Sequence, residues 1–411
     1  LVVTGVQTCA LPICLLCSNR FLTTLAGQNI RRTLTKEDLK IFEVYDLGDT
    51  KLFKAAVLPA IIIASKSETI NSAPRFVSAY EAPVPFNSSG RPLFDALEAT
   101  SRCIASHNNK SYEVRVGTLS VPADTKTPWR LSDPLTDHWL QSIDEKSWKR
   151  FGDIAKIRVG IKTTADNVFL GEDWSTRAPA VESSLLLPLI TQRNITPWRI
   201  SGRLDTKVLY PYDLSSERRR VLNIEDWPGA SAYLRRHEGQ LRGRKYVIEG
   251  GREWYEIWVP QRPALWAKPK IVFPDISESP RFALDTSGAV VNGNCYWISL
   301  ADVQEESHAY LILAVANSSF GLRYYDEVCG NRLYSGKRRW ITQYVKRLPL
   351  PRPDTAEARS LVAFARRLST SMSITPDLLM RLDEKVEAAF DASQARSAPG
   401  EDREEFSTTL F

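Results

Sequence analysis

The chain has 411 residues, of which 43% are hydrophobic and 25% are charged. This length is enough for two or three packed units, and the composition is typical of a globular protein rather than a disordered or collagen-like one. No apolar run reaches the roughly 18 residues that a transmembrane helix needs, so a membrane-spanning helix is excluded. The net charge of +6 is mildly basic and the six cysteines are scattered. The scattered cysteines form no disulfide framework and favour a reducing compartment, the cytoplasm.

The first 14 residues are apolar, yet they lack the basic leading region of a signal peptide. The stretch VTGVQTCALPI is similar to translated sequencing-adapter DNA. We therefore expect residues 1–14 to be a non-native head. Cys14 and Cys17 have CxxC spacing, but no second pair follows, so a zinc site is not expected.

Residues 15–66 have the pattern strand, helix, strand, strand. Their segments LLCSN, FLTTLAGQNIRRTL, IFEVYDLGD and AAVLPAIIIAS predict the last part of a parallel α/β sheet. Residues 67–145 are richer in Pro, Ser and Asn, which predicts a linker running into a small β region.

Residues 146–352 mix helical and strand-like segments. These include a basic helix at about 216–242 and a single helix over AYLILAVANSSFGLRYYDEV. Residues 353–392 have helical periodicity, with an apolar set that comprises Leu361, Phe364, Ala365, Leu368, Leu382, Val386 and Phe390. The polar, acidic residues 393–411 predict a disordered tail.

Positive charge is concentrated in residues 191–352, which hold 25 Lys and Arg against 17 Asp and Glu. Basic groups at 218–220 and 337–339 alternate with tryptophans and tyrosines. Basic side chains neutralise phosphates and aromatic rings stack on bases, so this pattern suits nucleic-acid binding. A solvated basic face with ordinary core tryptophans explains the same composition.

The segment FGDIAKIRVGIKTTADNVFLG (151–171) resembles the opening of the target-recognition domain in bacterial DNA adenine-N6 methyltransferases of restriction–modification systems, the Taq-like and type IIG enzymes. The resemblance lies in a Gly-Asp helix start followed by an I-R-x-G-I-x-T stretch. Three further segments match the family in the same order. They are LLLPLITQRNITPW (185–198), KPKIVFPDIS (268–277), and LAVANSSFGLRYYDEV with RLPLPRP (313–328 and 347–353).

The upstream segment is similar to the closing strands of the family's methyltransferase domain, including its D-x-G turn. The resemblance implies that Phe53 stacks on a flipped-out adenine; without it, Phe53 is an ordinary core aromatic. The implied fold is an α/β remnant of a Rossmann-like methyltransferase sheet (15–66), the linker and β region (67–145), a mixed α+β target-recognition domain (146–352) and C-terminal helices (353–392).

Two family motifs are absent from these 411 residues: the Gly-rich S-adenosylmethionine-binding turn and the catalytic N-P-P-Y/F. In the intact enzyme, the resemblance places both in an N-terminal methyltransferase half that this chain lacks. We therefore expect no cofactor site and no catalytic residue here, and no methyl transfer by this chain alone. The histidines and carboxylates likewise share no metal-ligand or nuclease spacing.

The expected partner is double-stranded DNA, bound by a monomer. The candidate DNA-binding residues lie in three predicted loops that are rich in hydrogen-bonding side chains. They are Arg158, Lys162, Thr163, Thr164 and Asn167; Gln192, Arg193 and Asn194; and, within the run 331–339, Arg332, Tyr334, Lys337, Arg338 and Arg339. Two alternatives stay open: a non-enzymatic specificity subunit, and an unrelated carbohydrate- or protein-binding module.

Overall fold

The first part of the molecule is a mixed β-sheet with short helices. The computed structural model describes residues 12–35, 39–54, 57–66, 72–87, 89–330, 332–371 and 373–395. The strands of the first sheet are β1 (Ile13–Ser18), β2 (Leu39–Asp46), β3 (Pro59–Lys66), β4 (Arg75–Glu81), β5 (Arg91–Pro92), β6 (Cys103–His107), β7 (Lys110–Ser120) and β8 (Arg130–Ser132). Its helices are α1 (Arg20–Thr23), α2 (Gln28–Leu34), α3 (Leu93–Leu97) and α4 (Pro134–Lys146).

The eight strands have the order β1-β3-β2-β4-β7-β6-β5, with β8 paired to β7. Strand β3 lies between β1 and β2 and is antiparallel to both. The sheet is therefore mixed, not parallel as the sequence pattern predicts. The reason is local: the loop 47–58 joins β2 to β3 as antiparallel neighbours, whereas helices α1 and α2 allow β1 and β2 to run in the same direction.

The expected linker region contributes five of the eight strands of this sheet. Strand β4 pairs in parallel with β2, and β7 pairs with β4 along seven residues. Residues 75–132 thus continue the sheet of residues 13–66 instead of forming a separate β region. At the other margin, Ile13 and Cys14 pair with Ala64 and Ile63, while residues 1–11 lie outside the described part of the chain.

The second part is built from shorter strands and more helices. Its strands are β9 (Lys149–Arg150), β10 (Ile157–Val159), β11 (Leu170–Gly171), β12 (Leu186–Ile190), β13 (Ile195–Thr196), β14 (Trp198–Ile200), β15 (Lys207–Leu209), β16 (Lys270–Pro274), β17 (Ile276–Ser277), β18 (Ala283–Asp285), β19 (Val290–Val291), β20 (Cys295–Ser299), β21 (Arg338–Arg339) and β22 (Pro349–Leu350). Its helices are α5 (Phe151–Ile154), α6 (Asp166–Phe169), α7 (Pro228–Arg236), α8 (Glu238–Arg242), α9 (Lys245–Glu249), α10 (Glu306–Asn317), α11 (Ser319–Cys329), α12 (Thr342–Val345), α13 (Ala356–Thr370) and α14 (Pro376–Ala395).

A central six-stranded sheet, ordered β10-β20-β16-β18-β14-β13, separates two hydrophobic cores. Side chains along strand β16 alternate between the two cores, because successive residues of a strand point to opposite faces of the sheet. Ile271 and Phe273 pack on one face, among helices α10 to α14, and Val272 packs on the other. A four-stranded sheet, β11-β15-β12-β19, shares the second core. The seven apolar positions predicted for the C-terminal helices are all buried.

Two predicted helices differ from the structure. The segment 306–329 forms two helices, α10 and α11, because the Ser318 hydroxyl accepts a hydrogen bond from Gly321 N and starts a new helix. The predicted basic helix at 216–242 is instead a loop with one 3-10 turn (Ile224–Asp226) as far as Trp227, and helix α7 begins only at Pro228. Helix α14 runs to Ala395, and residues 396–411 of the predicted tail lie outside the described residues.

Candidate nucleic-acid interface

The first and second predicted DNA-binding loops begin next to each other in the fold. Each loop follows a chain segment, ending at Ile161 or Ile190, and the two segments run in the same direction. Val291 lies between Ile190 and Ile161: Ile190 is its parallel strand partner, and Ile161 N donates a hydrogen bond to Val291 O at 2.8 Å. Ile161 is also bridged in parallel to Asn292. The chain ends that carry Lys162 and Thr191 therefore lie on either side of Asn292.

This close approach requires a glycine at position 160. A Cβ atom there would lie 2.1 Å from the carbonyl oxygen of Asn292 and 2.4 Å from that of Val291. Gly160 N also donates to Cys295 O at 2.9 Å, which fixes the loop against the start of β20. The glycine of the I-R-x-G stretch thus has a packing role that sets the position of Lys162.

The first loop divides into buried and exposed side chains. Arg158 is 8% exposed and both of its terminal nitrogens donate to the carboxylate of Asp302, so this guanidinium holds the fold and does not face solvent. Thr163 is 1% exposed and bonds to Asp166. The structure therefore gives Arg158 and Thr163 structural roles, because neither side chain is accessible to a ligand.

The remaining members of the first loop are exposed: Lys162, Thr164 and Asn167. Thr164 has a left-handed backbone with φ of +58°, and the Asn167 amide exchanges two hydrogen bonds with the amide of Gln240, at 2.9 and 3.2 Å. The Thr164 hydroxyl donates to Thr163 O at 2.5 Å, so this arrangement leaves Lys162 as the loop's long, solvent-exposed cation.

The second loop is a single 3-10 turn, Gln192–Asn194, that follows β12. Gln192 and Arg193 are exposed. The Asn194 side chain instead closes the turn, since its Oδ1 accepts from both the amide and the hydroxyl of Thr191 at 2.9 Å. The interpretation of Asn194 as a turn former, which its residue type also allows, fits these contacts.

The third loop, residues 332–339, is held by carboxylates. Arg338 makes a bidentate pair with Asp326, at 2.6 and 2.7 Å, and Arg339 pairs with Asp275 at 3.2 Å. Arg332 approaches the same Asp326 at 3.4 Å. Three of the five candidates here are thus engaged within the protein. Lys337 is exposed, Tyr334 is half-buried, and Asn331 lies outside the described residues.

This third loop is linked to the other two through the backbone of Asp275. Asp275 N donates to Asn294 O at 2.9 Å, and Trp340 N donates to Asp275 O at 2.7 Å. Asn292 and Asn294 therefore occupy the centre of the three loops, and Asn294 is exposed. Neither residue was among the sequence candidates; the signal is the tripeptide Asn-Gly-Asn between two buried strands.

Phe53 lies in the loop 47–58, at the carboxyl end of β2, and is 40% exposed. The same loop contacts the third predicted loop, residues 332–339, through Asp49, which is 3% exposed. Its Oδ2 accepts from Ser335 N at 3.1 Å, and its Oδ1 accepts from Glu81 N at 2.8 Å. One carboxylate thus joins the Phe53 loop, the first sheet and the third loop.

A groove of about 1130 Å³ separates the carboxyl end of β1 from the third loop. Arg20 and Leu58 line one side, and Tyr334 and Lys337 line the other. Because β1 and β2 are parallel, their carboxyl ends lie at the same edge of the sheet. In open α/β sheets this is the edge where ligands bind.

Asp46 is a buried carboxyl in the D-x-G turn at this edge. The groups that shift its pKa include no cation. Burial raises the pKa of the Asp46 carboxyl, although hydrogen bonds from Asn19, Tyr80 and Gly48 N oppose this effect. The hydroxyl of Tyr80 donates to Asp46 Oδ2 at 2.7 Å, and burial beside Asp46 raises the pKa of Tyr80 well above its usual value. These groups give the turn a fixed geometry.

Two other sequence features have structural explanations. Arg218 to Arg220 lie in a loop, not in a helix, and Arg219 and Arg220 face Glu256 and Asp213 at 3.6 and 3.5 Å. Seven of the eleven tryptophans are buried and the other four are half-buried. Most of the aromatic residues between the basic groups therefore belong to the core. Over the described residues, no cluster of three His, Cys, Asp or Glu side chains could hold a metal ion.

Residues 188–350 match the family model of the TaqI-like C-terminal specificity domain. This segment belongs to that domain family. The chain is 36% identical over 364 residues to the type II methyltransferase M.BanIII of Aneurinibacillus aneurinilyticus, which covers 85% of this chain and 62% of that protein. It is 23% identical over 347 residues to M.BstVI of Geobacillus stearothermophilus, covering 83% and 58%. The chain thus spans about three fifths of the length of these curated relatives.

The fold is similar to that of the type IIL restriction–modification enzyme MmeI, solved in complex with DNA. The TM-score is 0.59 at 14% identity, over 95% of this chain and 47% of that one. The resemblance inferred from sequence is confirmed for the TaqI-like specificity domain and its type II methyltransferase relatives. Among the described residues, no helix combines the length and apolar composition needed to cross a bilayer.

Proposed function

We propose that this chain is the target-recognition part of a site-specific adenine-N6 DNA methyltransferase of a restriction–modification system. The observation that carries the proposal is the convergence of the exposed side chains Lys162, Gln192 and Arg193 on either side of the Asn292 turn, within and beside the specificity domain. Lysine and arginine suit phosphates and guanine edges, and glutamine and asparagine suit adenine edges.

In this proposal the first sheet forms one wall of the catalytic cleft. The parallel strands β1 and β2, joined by helices α1 and α2, are the α/β remnant of the Rossmann-like methyltransferase sheet. Support comes from the groove at their carboxyl ends and from the exposed ring of Phe53 in the loop beside it. A flipped adenine loses its stacking partners, and the Phe53 ring replaces them at about 1–3 kcal/mol.

The methyl donor, S-adenosylmethionine, binds in an upstream methyltransferase half in this proposal, because the Gly-rich and N-P-P-Y/F motifs are absent from these 411 residues. This chain supplies no catalytic group and does not methylate DNA by itself. It acts as a monomer in the cytoplasm, where its DNA target lies. Its own residues hold the duplex and receive the displaced base.

The carbohydrate-binding alternative has less support, because it needs accessible tryptophans and seven of the eleven are buried. A specificity subunit without a methyltransferase domain does not account for the first sheet. Binding to DNA with a steep salt dependence separates the proposal from the carbohydrate-binding alternative.

The test is a titration of the 411-residue chain against a pool of random duplexes at several salt concentrations, with sequencing of the bound fraction. We expect enrichment of one short site that contains adenine, and affinity that falls steeply with salt. A folded chain that binds no duplex even at low salt would rule out the recognition function. Enrichment of a site without adenine would exclude the adenine-N6 assignment alone.

A further inference from the structure

The groove between the carboxyl end of β1 and the third loop has a cation on each wall. We name it the β1 groove. Its described lining residues include three cations, Arg20, Arg332 and Lys337, and no aspartate or glutamate. Arg332 lies 3.4 Å from Asp326, whereas Arg20 and Lys337 are exposed and form no ion pair with any described carboxylate. A cleft lined by one sign of charge focuses its field, so the β1 groove attracts anions.

A second groove that borders the third loop has a different charge. This groove, of about 1240 Å³, is lined by the carboxylates Asp49, Glu81, Glu113 and Glu278. Two of its arginines are partnered inside the protein: Arg102 meets Glu113 at 2.5 Å, and Arg338 makes its bidentate pair with Asp326. A polyanion is therefore favoured in the β1 groove and disfavoured in the second groove.

The backbone that leads into Arg20 is fixed to the first sheet and to the loop that carries Phe53. Asn19 is buried, and its Nδ2 donates to Asp46 Oδ1 at 2.8 Å. The amide of Asn19 donates to Leu58 O, also at 2.8 Å. Because Leu58 ends the loop that carries Phe53, the Arg20 side chain starts from a defined position beside that loop.

Lys337 lies on a part of the third loop whose backbone is also fixed. Leu333 N donates to Lys337 O at 2.7 Å, and Ser335 N donates to Asp49 Oδ2 at 3.1 Å. The next residue, Arg338, is held by its carboxylate pair. The two exposed cations thus extend from fixed backbone on opposite walls of the β1 groove, so an anion that binds between them does not have to order the main chain.

We propose that Arg20 and Lys337 form a phosphate clamp, which holds the backbone of the adenine-bearing DNA strand from opposite walls of the β1 groove. The clamp rests on the DNA-recognition function proposed above and names the strand contact at that site. Val57 and Leu58 of the loop that carries Phe53 line the same groove, so a base that stacks on Phe53 has its own phosphates beside the clamp. Phosphate contacts position a strand without reading its sequence. The clamp therefore places the displaced nucleotide and leaves the choice of site to the other loops.

The test uses the 411-residue chain and the duplex enriched in the titration above. Single phosphates are replaced by neutral methylphosphonates, one in each duplex. We expect Arg20→Gln and Lys337→Gln each to lower the slope of log affinity against log salt by about 0.9, and the double variant to lower it by about 1.8. Each single variant should also become insensitive to one methylphosphonate next to an adenine of the site, because the same contact cannot be lost twice. Its sensitivity to methylphosphonates elsewhere should stay at the wild-type level.

Two control variants separate charge from structure. Arg20→Lys keeps the positive charge and should keep the wild-type slope. Arg91→Gln removes an exposed arginine on β5, at the opposite edge of the first sheet from β1, and should change neither the slope nor the methylphosphonate profile. Thermal unfolding shows whether each variant is folded, and the exposed positions of Arg20 and Lys337 predict little change in Tm.

A folded double variant with the wild-type slope and the wild-type methylphosphonate profile would overturn the clamp while leaving the recognition function intact. The groove would instead belong to a free phosphate if inorganic phosphate raises the Tm of the wild-type chain but not that of Arg20→Gln, and no methylphosphonate next to an adenine weakens binding. That result also overturns the clamp. A wild-type chain that binds no duplex refutes the recognition function itself, so the two failures are distinguishable.

Discussion

Arg158 and Lys162 lie four residues apart in the first loop, yet the structure predicts opposite consequences for their removal. Arg158 is buried against Asp302 and lies 5.3 Å from the Trp297 ring, so Arg158→Ala leaves a carboxylate without its partner. Breaking such a pair costs about 3 kcal/mol or more. For a cooperative unit of roughly 150–250 residues this lowers Tm by about 6–12 °C. Lys162 is exposed, so Lys162→Ala should shift Tm by less than about 2 °C.

DNA binding should show the reverse pattern. Loss of one phosphate contact at Lys162 reduces the slope of log affinity against log salt by about 0.9. Calorimetry and a salt-dependent titration on both variants measure these effects. The control is a double-mutant cycle with Asp302→Ala, whose Tm loss should not add to that of Arg158→Ala. An Arg158→Ala variant with wild-type Tm and lost DNA binding would refute the structural role of Arg158.

Three further predictions concern packing, protonation and thiol reactivity. Gly160→Ala should unfold the loop or abolish DNA binding, because its Cβ would lie 2.1 Å from a carbonyl oxygen, whereas Gly239→Ala, with nothing within 4 Å, should keep Tm and binding. Because the folded-state pKa of Asp46 is raised, its contribution to stability is full below the unfolded pKa of about 3.9 and is lost as pH rises through the folded value. Asp46→Asn should therefore flatten the dependence of Tm on pH above about 4. Burial raises the pKa of Cys329 to about 12, so iodoacetamide at pH 8 should label exposed Cys14 but leave native Cys329 unlabelled in a mass spectrum.

The local hydrophobic pattern of the sequence was sufficient to predict features that lie within a single helix or strand. The order of strand, helix, strand and strand in residues 13–66 is observed, as are the buried positions of the C-terminal helices. The Pro228 that starts α7 was an available signal for the true helix boundary, since proline is favoured in the first helical turn. A helix prediction that begins at Pro228 is shorter than the predicted basic helix at 216–242 and matches the observed start of α7.

Long-range pairing could not be predicted in the same way. The sequence of strand β4 does not indicate which strands it pairs with, yet in the structure β4 lies between β2 and β7 in the first sheet. The accessibility of an arginine likewise depends on distant carboxylates. Arg158 meets Asp302 from 144 residues away, and Arg339 meets Asp275 from 64. Sequence composition therefore overestimated the number of arginines free to bind DNA.

The contact between the two parts of the molecule leads to a last prediction, at Asp49. This buried carboxylate is shared by Ser335 N of the third loop and Glu81 N of the first sheet, and it lies four residues before Phe53. Asp49→Ala removes both acceptors and leaves two partly buried amides without this partner, at about 1 kcal/mol each. We expect faster hydrogen exchange in residues 332–339 and in 47–54, together with weaker DNA binding.

Asp49→Asn is the matched control, because its remaining carbonyl can still accept one of the two bonds and should restore part of the protection. Increased exchange confined to 47–54 would show that the third loop is held independently, by the pairs of Asp326 and Asp275 with arginines. Increased exchange in both segments means that the third loop and the loop that carries Phe53 respond together. In the proposed function, binding of the correct site would then also order Phe53, since both loops depend on the same carboxylate.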